Sequence, residues 1–441
     1  MSDSYFPAWR KVSPDARGGV VQPNEYMAWP QSVAMGAQHV VAMFGSTILA
    51  PLLMGFDPNV AILMSGIGTL IFFFFVGGRV PSYLGSSFAF IGGVIAVTGY
   101  AGGGANANIG VALGAIIACG VVYTIIGLIV WWINARSGDG SNWIDNWMPP
   151  VVIGSIVAVI GLNLAPIAVK GAMGGTTFEA LMALLTVLCV GGVAVYTRGV
   201  TQRLLILVGL LLACFLYWVL ANGLGLGKPM DFGAVAGAAW FGLPTFSSPV
   251  FDIGAMSVIA PVAIILVAEN LGHIKAVSAM TGQNLDKYLG RAFVGDGVAT
   301  MVSGAVGGTG VTTYAENIGV MTVTRIYASL VFVIAALIAI FLGFSPKFGA
   351  LIQLIPGPVL GGMSIVVFGL IAIAGARIWV VNQVDFSNNR NLIVAAVTLV
   401  LGAGNFGLEL GAFRLDGIGT ATFGAIILYA LLRIGSRGKS L

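Results

Sequence analysis

Long apolar runs, separated by short polar or glycine-rich joints, follow one another from about residue 30 to residue 432. The runs at 61–76, 111–134, 204–220, 326–342 and 418–432 are continuous rather than alternating. A bilayer core of about 30 Å is crossed by about 20 helical residues, so these runs predict membrane-spanning helices. An outer-membrane barrel would show alternating segments of about ten residues, a pattern the chain lacks. The runs resolve into about fourteen segments: 30–54, 58–76, 86–99, 108–133, 148–165, 178–196, 203–223, 254–275, 291–306, 316–325, 326–343, 357–377, 391–404 and 418–432. Two of them are short and broken.

Composition agrees with an all-α polytopic membrane protein. Hydrophobic residues make up 58% of the chain, charged residues 8%, and the mean hydropathy is +0.98, well beyond the needs of a soluble core. Residues 1–27 are polar and mixed in charge, with neither an apolar h-region nor a cleavage site, so no signal peptide is expected. Cys119, Cys189 and Cys214 lie inside apolar runs without metal or redox spacing and read as packing residues. No metal or cofactor is expected. The net charge of +4 is scattered through short loops, which argues against a nucleic-acid partner and bears instead on orientation. With both termini cytoplasmic, the 20 basic residues divide into 16 inside and 4 outside. The inside set is Arg10, Lys11, Arg17, Arg79, Arg136, Arg198, Arg203, Lys275, Lys287, Arg291, Arg325, Arg377, Arg390, Arg433, Arg437 and Lys439; Lys170, Lys228, Lys347 and Arg414 lie outside. That asymmetry is what the positive-inside rule asks of this span count.

Three ionisable residues break the apolar pattern. Glu316 sits in a polar island, Thr312-Thr313-Tyr314-Ala315-Glu316-Asn317-Ile318-Gly319, and Glu269 and His273 lie within the apolar run 258–277. An acidic side chain at the bilayer centre costs about 2.5–3.5 kcal/mol on insertion scales and by default marks a substrate or proton path. Four residues apart, Glu269 and His273 share a helical face. Around them the chain repeats itself. Val76-Gly77-Gly78 leads to Tyr83, as Val306-Gly307-Gly308 leads to Tyr314, 231 positions later (314 − 83). His39 and His273, the two histidines, are 234 apart (273 − 39). Seven segments per half is an odd number, so the second copy is inverted in the membrane. Matched glycine and proline breaks in two halves point to a transporter's midplane site, because a broken helix frees backbone N–H groups for a ligand.

Other residues read more plainly. His39 and Asp296 are expected to be structural, Tyr83 and Tyr314 to anchor the breaks or face the site, and Ser86 and Ser87 to cap a half-helix. The aromatic run 72–75 is expected to face lipid or pack, and the 101–104 stretch to form an exposed loop. An intramembrane enzyme is disfavoured by two histidines and no Ser-His-Asp or Cys/His cluster. An anion carrier or channel of the same architecture is disfavoured by the two glutamates.

The stretches Gln38-His39-Val40-Val41-Ala42-Met43-Phe44-Gly45, Val80-Pro81-Ser82-Tyr83-Leu84-Gly85-Ser86-Ser87-Phe88-Ala89-Phe90 and Thr312 to Met321 resemble signatures of the nucleobase–ascorbate transporter family, also called nucleobase–cation symporter-2. Glu316-Asn317-Ile318-Gly319 through Thr324-Arg325 fits its tenth-segment motif, and Val267-Ala268-Glu269-Asn270-Leu271-Gly272-His273 its eighth-helix motif. The likeness runs from about residue 31 to 432 and is closest to the bacterial uracil and pyrimidine permeases.

This resemblance implies a seven-plus-seven inverted repeat with core and gate domains. A cytoplasmic tail would occupy 1–29 and a second 434–441. The core would comprise 30–133 and 253–344, the gate 144–224 and 353–433. The third and tenth segments would begin with short strands that meet at the site, and the gates would join two copies as a homodimer in the bacterial cytoplasmic (inner) membrane. Carried over by position, Glu269 and Glu316 would hold the base and His273 would support them, with proton coupling through all three. Backbone groups near Phe88, Ala315 and Glu316 would complete the edge contacts. Ser46 stands where a related uracil permease has alanine, and Ala315 where it has glycine. The hydroxyl would add a polar contact, the Ala315 methyl narrows the approach to the backbone, and Tyr314, beside Ala315 in the motif, would line the base site. Uracil presents N–H donors and C=O acceptors around a small ring, which a carboxylate and freed N–H groups complement. The expected function is import of uracil by proton symport through alternating access, driven by about 2.3 kcal/mol per proton per 100 mV. A xanthine or urate carrier of the same family is the alternative; glutamine usually opens the tenth-segment motif there.

Overall fold

Proline, glycine and polar caps cut the apolar sequence into helices. The computed structural model describes residues 4–13, 19–100, 102, 104–137, 148–410 and 413–436. Arg17, Arg437 and Lys439 of the basic tally, Ala101 and Gly103 of the glycine loop, and 144–147 and 437–441 of the domain scheme lie outside the described residues.

Helix α1 (Trp29–Met54) ends on Gly55 in the left-handed region, φ 73°. Helix α2 (Pro58–Phe75) starts with Pro58 in its first turn and is capped by Asp57, whose side chain accepts from the Asn59 backbone N–H at 2.7 Å. A strand, β3 (Leu84–Ser86), precedes the short helix α3 (Phe90–Thr98), and α4 (Ile109–Ser137) closes the first group. Next come α5 (Pro150–Met173), α6 (Thr177–Tyr196), α7 (Val200–Arg203) and α8 (Leu205–Trp218), the last running into a π-helical turn at Val219–Gly223. After the small helix α9 (Gly233–Gly237), the pair α10 (Ile253–Ile259) and α11 (Val262–Thr281) leads to α12 (Leu289–Val306). Strand β4 (Val311–Thr313) then opens α13 (Ala315–Thr324), followed by α14 (Ser329–Gly343) and α15 (Pro346–Gln353). The chain finishes with α16 (Gly357–Val381), α17 (Asn389–Ala403), the hairpin β5 (Leu408–Leu410) and β6 (Phe413–Leu415), and α18 (Gly417–Ser436).

Among the described residues, eight helical stretches are long and apolar enough to cross a membrane, with α10 and α11 counted as one; α14 and α15 form a further pair bent by 82°. Two prolines act differently from the sequence expectation. The segment expected to stop at 165 continues through Pro166 to Met173 as one helix, a placement tolerated in transmembrane helices because neighbours re-satisfy the freed carbonyl. Conversely, the segment expected to run unbroken over 254–275 divides at Pro261.

Packing falls into two sets. Helix α4 lies on α12, α2 on α14 and α12, and α1 on α14; separately, α5 and α6 lie on α16, and α17 lies on α18 and α5. Within the first set, β3 and β4 pair antiparallel, Leu84 with Thr313, Gly85 with Thr312 and Ser86 with Val311. Two bonds extend the ladder: the Ser87 N–H donates to the Gly310 carbonyl and the Tyr314 N–H to the Tyr83 carbonyl, both at 2.9 Å. The ladder brings the starts of α3 and α13 together from opposite halves of the chain. It needs glycine where aromatic rings cross it. A β-carbon on Gly85 would sit 2.4–2.6 Å from the Tyr314 ring, and one on Gly310 2.2–2.7 Å from Phe90. Gly85→Ala is therefore expected to lower stability by about 1–3 kcal/mol, the range for overpacking a dense site. A thermal midpoint in detergent equal to wild type would contradict that.

The N-terminal residues, expected as a polar tail, form a strap against the body. The Tyr5 hydroxyl donates to the Phe74 and Phe75 carbonyls at 2.8 and 3.0 Å, and the Arg291 guanidinium lies 4.3 Å over the Tyr5 ring. Arg79 donates to the Ser4 carbonyl at 2.8 Å, and Phe6 and Trp9 stack on Phe73. Strand β1 (Arg10–Lys11) pairs parallel with β2 (Glu25–Tyr26). Val21 bridges the α13–α14 joint, donating to the Arg325 carbonyl at 3.0 Å and accepting from the Tyr327 N–H at 2.8 Å. The 72–75 run is thus divided: Phe72 is buried, Phe73 packs under the strap, and Phe74 is exposed. Gly102 and Gly104 are exposed, Cys119 and Cys189 are buried, Cys214 is half-buried, and all three cysteines are free thiols.

Candidate functional site

Glu316 is the second residue of α13, in the first turn, where backbone N–H groups have no partner inside the helix and the helix dipole favours negative charge. The Ser46 hydroxyl of α1 donates to its Oε1. Glu269 projects from the middle of α11, the helix that packs against α13. Its Oε2 is buried with no hydrogen-bond partner among the described residues. Both glutamate side chains are half-buried, and carboxylates that share a site repel one another.

His273 lies one turn beyond Glu269. Its Nδ1 is 2.8 Å from the Thr313 hydroxyl, at the end of β4, so its direct partner is the strand rather than either glutamate. Thr313 also donates to Asn270 Oδ1 at 3.4 Å, and Asn270 Nδ2 donates to Asp296 Oδ2 at 2.5 Å and to the Tyr123 hydroxyl at 3.0 Å. Asp296, fully buried in α12, ends this chain of bonds. In the sequence, Asn270 stands out only as part of the motif from Val267 to His273. Its place between Thr313 and Asp296 depends on contacts across four elements.

The start of α13 is tied to α1 at three neighbouring positions. Tyr314 accepts from Thr47 at 3.1 Å, Glu316 from Ser46, and Asn317 Nδ2 lies 3.0 Å from both His39 Nδ1 and the His39 carbonyl, to which it donates. On α1 these partners fall at 39, 46 and 47, spacings of seven and eight that keep them on one face. The signal was present in the sequence but had no visible counterpart to pair with. Tyr314 is buried, its hydroxyl also donating to the Ser86 carbonyl at 2.9 Å, and Tyr83 bonds Ser65 at 3.0 Å; both hydroxyls are engaged inside the ladder region. Ser87 accepts from the Ala89 N–H at 3.3 Å at the start of α3, whereas Ser86 accepts from Thr309 at 2.6 Å and caps nothing. Phe88 is buried beside α3 and meets Phe368 of α16 edge-on at 5.9 Å; Ala315 is exposed.

The arrangement places two carboxylates, an imidazole and the N-termini of two half-helices in one region. It offers acceptors to ligand N–H groups and donors to ligand carbonyls. Among the described residues no group of three or more His, Cys, Asp or Glu is placed to hold a metal ion. A separate cavity of about 490 Å³ lies between α1, α8 and α15, lined by residues such as Phe44, Ile48, Leu210, Phe215 and Phe348. Its apolar walls have nothing with which to recognise a polar ring.

A sequence model described as "Permease family" matches residues 30–409. The Escherichia coli (strain K12) protein named "Putative pyrimidine permease RutG" is 66% identical over 427 residues, 97% of this chain and 95% of its own length. The uracil permease of Bacillus caldolyticus is 40% identical, covering 91% of this chain and 92% of that one. Among solved structures, the murine anion transporter Slc26a9 in an inward-facing state superposes with a TM-score of 0.64 at 12% identity, over 92% of this chain and 69% of that chain. The transmembrane domain of the cyanobacterial bicarbonate transporter BicA gives 0.61 at 15%, over 90% and 96%. At such identities the likeness concerns the fold.

Proposed function

The chain belongs to the nucleobase–ascorbate transporter family of permeases, and from that premise we propose that it imports uracil, or a closely related pyrimidine, together with a proton. It is a transporter and not an enzyme. The observation that carries the substrate reading is the pair Glu316 and Glu269 at the N-terminal turn of α13, which the strand ladder sets beside the start of α3. A carboxylate oxygen accepts from a ring N–H, and helix-terminal N–H groups donate to the flanking carbonyls. Relatives that bear the names uracil permease and pyrimidine permease support the same base.

Proton coupling follows from the charge argument. Glu269 and Glu316, on helices that pack against each other, take up one proton with a neutral base and release both on the other side. Translocation proceeds by movement of one packed set against the other. The core is 30–133 with 253–344 and the gate 144–224 with 353–433, a division supported by the packing of α4, α2 and α1 with α12 and α14, and of α5 and α6 with α16. The fourteen-segment, seven-plus-seven layout is supported by β3–α3 and β4–α13, two strand-and-half-helix units from opposite halves that meet antiparallel. We place the protein as a homodimer in the inner membrane with both termini in the cytoplasm.

Uptake of radiolabelled uracil into proteoliposomes, with and without an inward proton gradient, tests this. Accumulation above the external concentration only with the gradient is expected. Uptake that merely equilibrates removes the symport; uptake of xanthine in place of uracil keeps the family and replaces the base.

A further inference from the structure

Ser46 reaches the site without facing it. The residue is fully buried, and its hydroxyl donates to Glu316 Oε1. The neighbouring position holds α1 in place: a β-carbon on Gly45 would lie 2.2 Å from Ile206 of α8, so the helix has little room to turn. The backbone of α13 is meanwhile held by two other ties, Asn317 to His39 and Thr47 to Tyr314. Ser46 is therefore the tie that acts on the Glu316 carboxylate itself.

Resting on the uracil reading above, we propose that Ser46 is a positioning residue that sets specificity, and that it does not contact the base. A free carboxylate has two oxygens and about four acceptor sites, and accepts from paired donors such as a guanidinium. The Ser46 hydroxyl occupies one of those sites on Oε1 and fixes the rotation of the carboxylate, so that Oε2 is the oxygen without a tie to α1. One acceptor beside the N-terminal N–H groups of α13 reads a ring edge with one N–H next to a carbonyl. The chemical class selected is a ring imide or lactam. A base methylated at that nitrogen has no donor for Oε2 and is rejected. Without the Ser46 hydroxyl the carboxylate is free to rotate, which weakens binding of the matched base and relaxes rejection of the methylated one.

Binding of uracil, 1-methyluracil and 3-methyluracil to the purified full-length protein tests this in wild type, Ser46→Ala and Ser46→Thr. Loss of one charge-assisted hydrogen bond predicts a uracil Kd raised about tenfold in Ser46→Ala. The preference for uracil over the more strongly rejected methyl derivative should fall by a similar factor. Ser46→Thr keeps the hydroxyl and should recover most of that preference, whatever it does to stability. A stability defect alone lowers the amount of active protein and leaves the ratio of affinities unchanged. Wild-type binding of uracil with an unaltered ratio in Ser46→Ala overturns the positioning role. A wild type that binds no uracil overturns the substrate reading and this inference with it.

Discussion

Glu316→Gln is expected to abolish gradient-driven uracil accumulation and to lower the initial uptake rate by roughly two orders of magnitude. An ionised carboxylate only accepts hydrogen bonds, whereas an amide brings an NH₂ that must find an acceptor of its own. Each polar group left without its match when the site closes on the base costs about 1–3 kcal/mol, and two mismatches reach that loss of rate. Ser46 would also lose its charged partner. The check is uptake into proteoliposomes at matched protein density, with fold confirmed by the thermal midpoint. Normal accumulation by the glutamine variant would move both substrate recognition and coupling away from α13.

Glu269→Gln is expected to separate the two halves of the activity. Glutamine keeps the shape of a protonated glutamate but neither takes up nor releases a proton. The buried Oε2 of Glu269, unpartnered among the described residues, is the oxygen with room for that proton. The variant should exchange uracil across the membrane in counterflow at a rate within about tenfold of wild type. It should not accumulate uracil against a gradient, whatever the external pH. The electrical drive available to wild type, about 2.3 kcal/mol per 100 mV per charge, amounts to an accumulation of about fiftyfold. A variant that still concentrates uracil would show that the coupled proton rides elsewhere, and the bonded set Asn270, Asp296 and Tyr123 would be the next place to test.

Much of this was legible in the sequence because it is written locally. Apolar run length predicted the helices, two glycine-rich breaks ending in Tyr83 and Tyr314 marked the site, and the family resemblance implied the strands that meet there. Glu269 and Glu316 stood out because ionisable residues are rare in such runs. What stayed hidden is long-range pairing. His39 and His273 look like repeat equivalents by spacing, yet one bonds Asn317 and the other Thr313. Nothing near Ser46 in the chain says that its partner is 270 positions away. Pro166 and Pro261 show the same limit: the residue is identical, and neighbouring helices decide whether it interrupts. The strap is not legible locally because Tyr5, Phe6 and Trp9 follow no helical or strand period, and their value lies in Phe73, Phe74 and Arg291.

That strap carries an experimental opportunity. Its bonds run to the end of α2, the start of α12 and the α13–α14 joint, all in the packed set that includes the ladder. A reporter at its surface is therefore a passenger on that set. A fluorescent donor attached near Lys11 and an acceptor on the exposed end of α16 would register the proposed movement of one set against the other as a change in energy transfer, with no label near Glu269 or Glu316.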